Sequence, residues 1–362
     1  MPPSSTSSSK RPAGPPWGLA IAIVLLAALE LALRHYNPSG RFPGAPEEDE
    51  VAYRSVPLEL ERGTPDVLIV GSSRARRGVL APALAQGLKQ EGLTTTVKNF
   101  GLAGAQAEEI ELVLRRAEEA TQHPKLMVWS ISARDLVVNQ EHPNYKVQYL
   151  WRPADWWTAR RSVGHFADTY LPDALRNEAA RDSLLVRDRF AFRSLLEEPS
   201  TFDREHIAAI FSPPATRGGP MQGELPGVFL KSGRDRSRTV SRERVKRYLG
   251  DAHRDPEWPR NYQADHLEAA MRRARETGIP LLLVELPVPQ ILLDAMPAHA
   301  QEKFLDYVAE LSKRYAVPFV PVSDLGAKFK NEDFSEQSHL NYRGAQKYTA
   351  ALVPIVAARL GK

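Results

Sequence analysis

Apolar residues along this chain gather into short runs separated by stretches with helical spacing. Residues 67–70 (VLIV) form the first run, followed at once by Gly71, Ser72 and Ser73. That pattern predicts a buried parallel strand ending in a tight turn, with a helix beginning just beyond it. Val79, Leu80, Leu84 and Leu88 then recur at helical intervals. Residues 97–100 predict a second strand running into NFGLAGAQAEE, where Gly101 and Gly104 lie in the turn before a helix with Ile110, Val113, Leu114 and Ala117 on one face. Residues 126–131 give the third strand. After a long interruption, residues 262–277 read as a helix with Leu267, Ala270, Met271 and Ala274 on one side, and GIPLLLVELPVP supplies the fourth strand. Phe304, Tyr307, Val308 and Leu311 mark the next helix, residues 317–322 the fifth strand, and Ala345, Tyr348, Leu352 and Val356 the last helix. Strands alternating with helices predict an α/β fold: a three-layer parallel sheet of about five strands, flavodoxin-like in layout.

Three regions break this pattern. Residues 1–16 are rich in Ser and Pro and predict a disordered tail. Residues 17–34 are almost wholly apolar, with Glu30 the one charge before Arg34, and predict a single-pass transmembrane anchor. Lys10 and Arg11 precede it, which predicts a cytoplasmic amino end and an extracytoplasmic body. No A-x-A site follows the apolar run, so an uncleaved anchor is expected over a cleaved leader. Residues 35–65 read as a polar, Pro-containing tether to a domain covering 66–362. Within that domain the core pattern lapses over residues 138–259, too long for an ordinary loop, and predicts an inserted, partly helical subdomain. Trp151, Trp156 and Trp157 beside many arginines suit a sugar polymer or an acidic glycan, and packing aromatics under a solvated basic face are the favoured alternative. The basic run at 231–247 also suits anionic lipid headgroups.

Composition narrows the function classes. The formal charge is +4, from 48 basic and 44 acidic residues, and gives no case for nucleic-acid binding. There is no cysteine, which excludes disulfides and a cysteine-linked lipid anchor and leaves the compartment unmarked. The nine histidines are scattered without metal-ligand spacing, so neither metal nor cofactor is expected.

Candidate chemistry lies at two distant places. Ser73 falls at the carboxyl end of a strand, the edge where open α/β sheets bind ligands. It is the candidate nucleophile, and helix capping by Ser72 and Ser73 is the alternative use of the pair. A serine hydroxyl needs a base to take its proton and an acid to orient that base. The stretch NEDFSEQSHLNYRGAQKY offers both, with Glu336 three residues before His339. Ser73 after the first strand, Gly104 after the second, and Glu336 with His339 after the fifth all reach one rim. Glu285 closes the fourth strand at the same rim, where it contacts substrate or pairs with a cation.

The G-S-S-R turn, the E-x-x-H pair and the SHLNYRGA ending resemble the SGNH or GDSL-like hydrolase superfamily. Within it they are closest to the membrane-anchored cell-envelope branch that includes alginate O-acetylation and teichoic acid D-alanyl transfer proteins. The resemblance covers roughly residues 66–132 and 262–362. It implies Ser73, Glu336 and His339 as catalytic residues and the backbone N–H groups of Ser73 and Gly104 as oxyanion donors. It also implies an esterase or O-acyltransferase acting on an acylated envelope polysaccharide, with a membrane O-acyltransferase as a partner. A non-catalytic member that binds a glycan or such a partner is the alternative. Two departures stand out: Glu336 replaces the family's aspartate, and Ser132, Ala133, Arg134 and Asp135 stand where the family has G-x-N-D. The asparagine donor is therefore absent, and Arg134 is a candidate replacement charge. Asp135 is a candidate helix cap or partner for Arg134.

Overall fold

Strands whose side chains alternate between two buried faces need helices on both sides, and the chain supplies them. The computed structural model describes residues 17–36, 56–57, 59–61, 63–137, 147, 150–163, 168, 170–187, 248, 257–297, 299–335 and 338–361. In chain order the elements are α1 (Trp17–Tyr36), β1 (Val67–Ser72), α2 (Ser73–Gly78), α3 (Ala81–Gln90), β2 (Val97–Leu102), α4 (Ala107–Glu119), β3 (Leu126–Ile131) and α5 (Pro153–Val163). There follow α6 (Leu171–Asp182), α7 (Leu184–Arg187), α8 (Tyr262–Thr277), β4 (Leu281–Glu285), α9 (Gln290–Leu293), α10 (Ala300–Tyr315), β5 (Phe319–Val320) and α11 (Tyr342–Leu360). The chain divides into two units, residues 1–46 with 178–218 and residues 47–177 with 219–362.

The larger unit holds a five-stranded, all-parallel sheet in the order β2-β1-β3-β4-β5. Leu68, Val70, Met127, Trp129, Ile131 and Leu283 face one core, covered by α4, α8 and α10. Val67, Ile69, Val97, Val128, Leu282 and Val284 face the other, covered by α3 and α11. The period-2 alternation thus distributes each strand between two layers of helix. Side chains such as Leu84, Phe304 and Tyr348 are fully buried, each large apolar one stabilising the fold by about 1.5–3 kcal/mol before the entropy of ordering is set against it.

Two elements differ from the sequence expectation. β5 spans two residues instead of six, because Pro318 and Pro321 flank it and neither carries an N–H for the ladder. The last part of the expected tether is not a polar spacer: Val56 and Leu60 are buried in the larger core, Glu59 pairs with Lys98 at 3.5 Å, and Glu61 pairs with Arg152. Two apolar residues four apart on a short helical stretch are enough to seat it. The remainder of 35–55 lies outside the described residues, as do the tail at 1–16 and most of the 138–259 insert, including the basic run. The described part of the insert includes the helices α5, α6 and α7, with Trp151 buried, Trp156 packed against the core and Trp157 half exposed.

In the smaller unit, α1 exposes Ile21, Val24, Leu25 and Leu31. Among the described residues no helix is long and apolar enough to cross a membrane. Glu30 is not an isolated charge: its carboxylate accepts from Arg34 Nε at 2.9 Å, from Ser183 Oγ at 3.1 Å and from the Leu185 amide at 3.0 Å, capping the start of α7.

Candidate active site

Ser73 reaches the sheet rim because β1 ends in a backbone that tolerates almost no side chain. Gly71 has φ +140, and a Cβ there would meet Ser130 O at 2.6 Å and Ala75 Cβ at 2.7 Å. Gly101 on β2 leaves room for α2 in the same way, since a Cβ would lie 2.3 Å from the Arg76 amide nitrogen. Asn99 then fastens the helix from below, its Nδ2 donating to Ala75 O at 3.0 Å and Val79 O at 2.8 Å. Ser73 is therefore the first residue of a short helix wedged onto two strands. Ser72 precedes it as the N-cap residue without a side-chain capping bond, and its buried Oγ has no hydrogen-bond partner among the described residues.

His339 arrives from the other end of the chain on a loop that folds on its own bonds. Phe334 and Leu340 form a short antiparallel bridge, and Ser335 N donates to His339 O at 2.9 Å. Asn341 caps α11 by accepting from Gly344 N at 3.0 Å while its Nδ2 donates to Glu332 O at 2.7 Å. Asp333 is the buried anchor, accepting from Lys330 N at 2.9 Å, Arg343 Nε at 3.0 Å and Lys347 Nζ at 2.5 Å. Burial alone would raise its carboxyl, but the Lys330 amide, Lys347 and Arg343 outweigh it and hold the group below the usual carboxylate range. α11 is in turn tied to the strand ends: Tyr348 Oη donates to Glu285 O at 3.2 Å, and Leu80 N donates to Thr349 Oγ1 at 3.0 Å.

The result is an approach of Ser73 Oγ to His339 Nε2 at 2.9 Å. Both side chains are half-buried. The second ring nitrogen, Nδ1, lies 3.4 Å from Ser338 Oγ. Glu336, the expected orienting acid, lies outside the described residues. Gly104 sits in an exposed turn with φ +73, two residues beyond Leu102, which is in register with Ser72 on β1. Its N–H takes no backbone partner among the described residues, while Ala105 N closes the turn onto Leu102 O at 3.1 Å.

The turn after β3 is built differently. Ser132 and Asp135 cap each other's backbone, with Ser132 N donating to Asp135 Oδ2 at 2.9 Å. Asp135 is thus a cap, and Arg74 lies 3.5 Å from its carboxylate, while Arg134 also acts on it electrostatically. Burial pushes the Asp135 carboxyl above its ordinary range against the pull of Arg74 and the Ser132 amide. Arg134 donates to Tyr248 O at 3.1 Å. Glu285, expected as a substrate contact or the partner of a cation, is buried with both oxygens engaged by neutral donors, Gln301 Nε2 at 2.6 Å and Val322 N at 2.7 Å. Burial raises its carboxyl, and those two donors limit the rise. It braces the end of β4 against α10 and the β5 loop.

Arg74, Asn99 and Tyr248 shape the site without having been singled out from the sequence. Only Arg74 carried a signal, as a cation next to the nucleophile in a turn whose surroundings predict burial. Among the described residues no group of His, Asp and Glu gathers as a metal site. No family model matches the chain, and no curated protein matches it significantly.

Proposed function

We propose that this protein is a serine esterase or O-acyltransferase of the SGNH type, attached to a membrane through α1, with its α/β unit on the extracytoplasmic side, acting on an acylated envelope glycan or a similar ester. The observation that carries the reading is the 2.9 Å approach of Ser73 Oγ to His339 Nε2 between residues 266 positions apart. Such a distance is what proton transfer from a nucleophile to its base requires.

In this reading the Ser73 hydroxyl donates to His339 Nε2, and Glu336 holds the proton on Nδ1. As Oγ bonds to the ester carbonyl carbon, the proton passes to Nε2 and the carbonyl electron pair becomes an oxyanion facing the Ser73 and Gly104 amides. Collapse expels the alcohol, which takes the proton from Nε2 and leaves an acyl-serine. Water or a sugar hydroxyl repeats the sequence in reverse. The absent asparagine donor removes transition-state stabilisation and raises the barrier by about 2.7–4 kcal/mol, so a slow enzyme is expected.

Labelling with a fluorophosphonate tests the reading: wild type should be modified at Ser73, and neither Ser73→Ala nor His339→Ala should react. Absence of labelling together with absence of acetyl-ester turnover would favour a second reading, a non-catalytic protein that binds a glycan or a membrane O-acyltransferase. The turn after β3 favours that alternative, because Ser132 and Asp135 are engaged inward and offer no amide donor. The membrane attachment rests on the exposed apolar side chains of α1. Fractionation of the full chain against a chain lacking residues 17–36 tests it: the full chain should resist carbonate extraction, and recovery of both in the soluble fraction would remove the attachment.

A further inference from the structure

The residue following the nucleophile is a buried cation. Arg74 is 4% exposed, and a guanidinium out of water is costly unless its donors are matched. Here they are matched by groups far away in sequence. Nη1 donates to Tyr248 Oη at 2.6 Å. Nη2 donates to Ser132 Oγ and lies 3.5 Å from Asp135 Oδ1. Cζ stands 5.0 Å from the centre of the Tyr248 ring. Tyr248 belongs to the end of the 138–259 insert and is held from a second side, where Arg134 Nη1 donates to its carbonyl at 3.1 Å. Burial raises the Tyr248 hydroxyl, so it stays neutral and accepts from Arg74.

We infer that Arg74 is a positioning residue that holds α2 in the orientation where Ser73 Oγ meets His339 Nε2, and that Tyr248 fixes the guanidinium from its far side. The inference rests on reading Ser73 as the nucleophile. Ser73 and Arg74 are consecutive in a helix of six residues, so a rotation that carries Oγ away from the imidazole drags the guanidinium off its partners. The described side-chain bond of Ser73 is the one to His339, and by itself it fixes neither end. A planar fork with several simultaneous partners resists rotation in a way that a single ammonium does not.

The experiment uses the full chain and compares wild type, Tyr248→Phe and Arg74→Lys, with Ser73→Ala as the blank. Tyr248→Phe keeps the ring against the guanidinium and removes only the hydroxyl. Fluorophosphonate labelling should slow about tenfold in Tyr248→Phe and about a hundredfold in Arg74→Lys. The fall should appear in the limiting rate and not in the half-saturating probe concentration. A second arm reads the His339 ring carbon and proton signals by NMR, which report the Ser73 contact without any catalysis. Both variants should move those signals in the direction that Ser73→Ala moves them. Wild-type rates and unmoved His339 signals in Tyr248→Phe overturn the inference, as does a rate loss that merely follows a lowered melting temperature. If wild type is unlabelled while the His339 signals still respond to both variants, the esterase reading fails and the positioning role stands. Should Arg74→Lys not fold, Tyr248→Phe carries both arms.

Discussion

The turns after β1 and β3 lie on adjacent strands at the same rim of the sheet, and each opens a short helical turn with a serine. They use that position in opposite ways. In the β1 turn, the Ser73 side chain is half-buried and bonded to a histidine 266 residues away. In the β3 turn, Ser132 is buried and closes a capping box with Asp135, and both then engage Arg74. The difference lies in where the hydrogen-bonding capacity goes. A turn whose polar groups satisfy one another is a structural brace, whereas one that leaves a hydroxyl to a distant base is available for chemistry. Rim placement alone does not distinguish the two.

Four substitutions sharpen the contrast. His339→Ala should lower the Ser73 labelling rate by at least about 10⁴-fold and leave the thermal midpoint nearly unchanged, because the loop is held by Asp333 and Asn341. A melting temperature that falls along with activity would make His339 a structural residue. Asp135→Ala, in the matching turn, should show the reverse balance. It strands the buried Arg74 guanidinium and should lower stability by about 3–5 kcal/mol in denaturant unfolding. A loss below about 1 kcal/mol would mean that the β3 turn is not the brace described here.

Gly101→Ala tests the seat beneath the β1 turn. Its Cβ would lie 2.3 Å from the Arg76 nitrogen, so α2 must shift, at about 1–3 kcal/mol of stability. Labelling should fall with it, and unchanged labelling and unfolding would show that the close approach is relieved without moving Ser73.

The smallest effect concerns pH. The Asp333 carboxyl is held below its ordinary value of 3.8, so its contribution to stability is present above that value and is lost as pH falls through the lower, folded one. Asp333→Asn should flatten the acid side of a melting-temperature profile between about pH 5 and pH 2, with stability above pH 5 lowered by about 1–2 kcal/mol. An acid limb identical to that of wild type would remove Asp333 as its source.

Much of the scaffold was legible from local pattern. The helical stripe at Leu267, Ala270, Met271 and Ala274 and the strand at Leu126–Ile131 form the elements expected of them, because buried faces demand apolar residues at fixed intervals. The edge strand β5 is shorter than the apolar residues from Val317 to Val322 suggest, because Pro318 and Pro321 supply no ladder N–H. Val56 and Leu60 were missed because two apolar residues among polar ones form too short a pattern to mark a buried segment. At the site, Ser73 and His339 stood out by residue type and position in the element order. The Arg74 cluster did not, since no periodicity links residues 74, 132, 135 and 248.

What the amino-acid sequence determined by itself is therefore the order of strands and helices and which side of each is buried, since those follow from spacing within a few residues. What only the tertiary structure decided is which polar groups meet. The Ser73–His339 approach and the burial of Arg74 depend on long loops closing and on helices packing against both faces of the sheet. Neither event leaves a mark at the spacing of neighbouring residues, because hydrogen-bond geometry is met at the tenth-of-an-ångström scale only once the core has fixed every strand end.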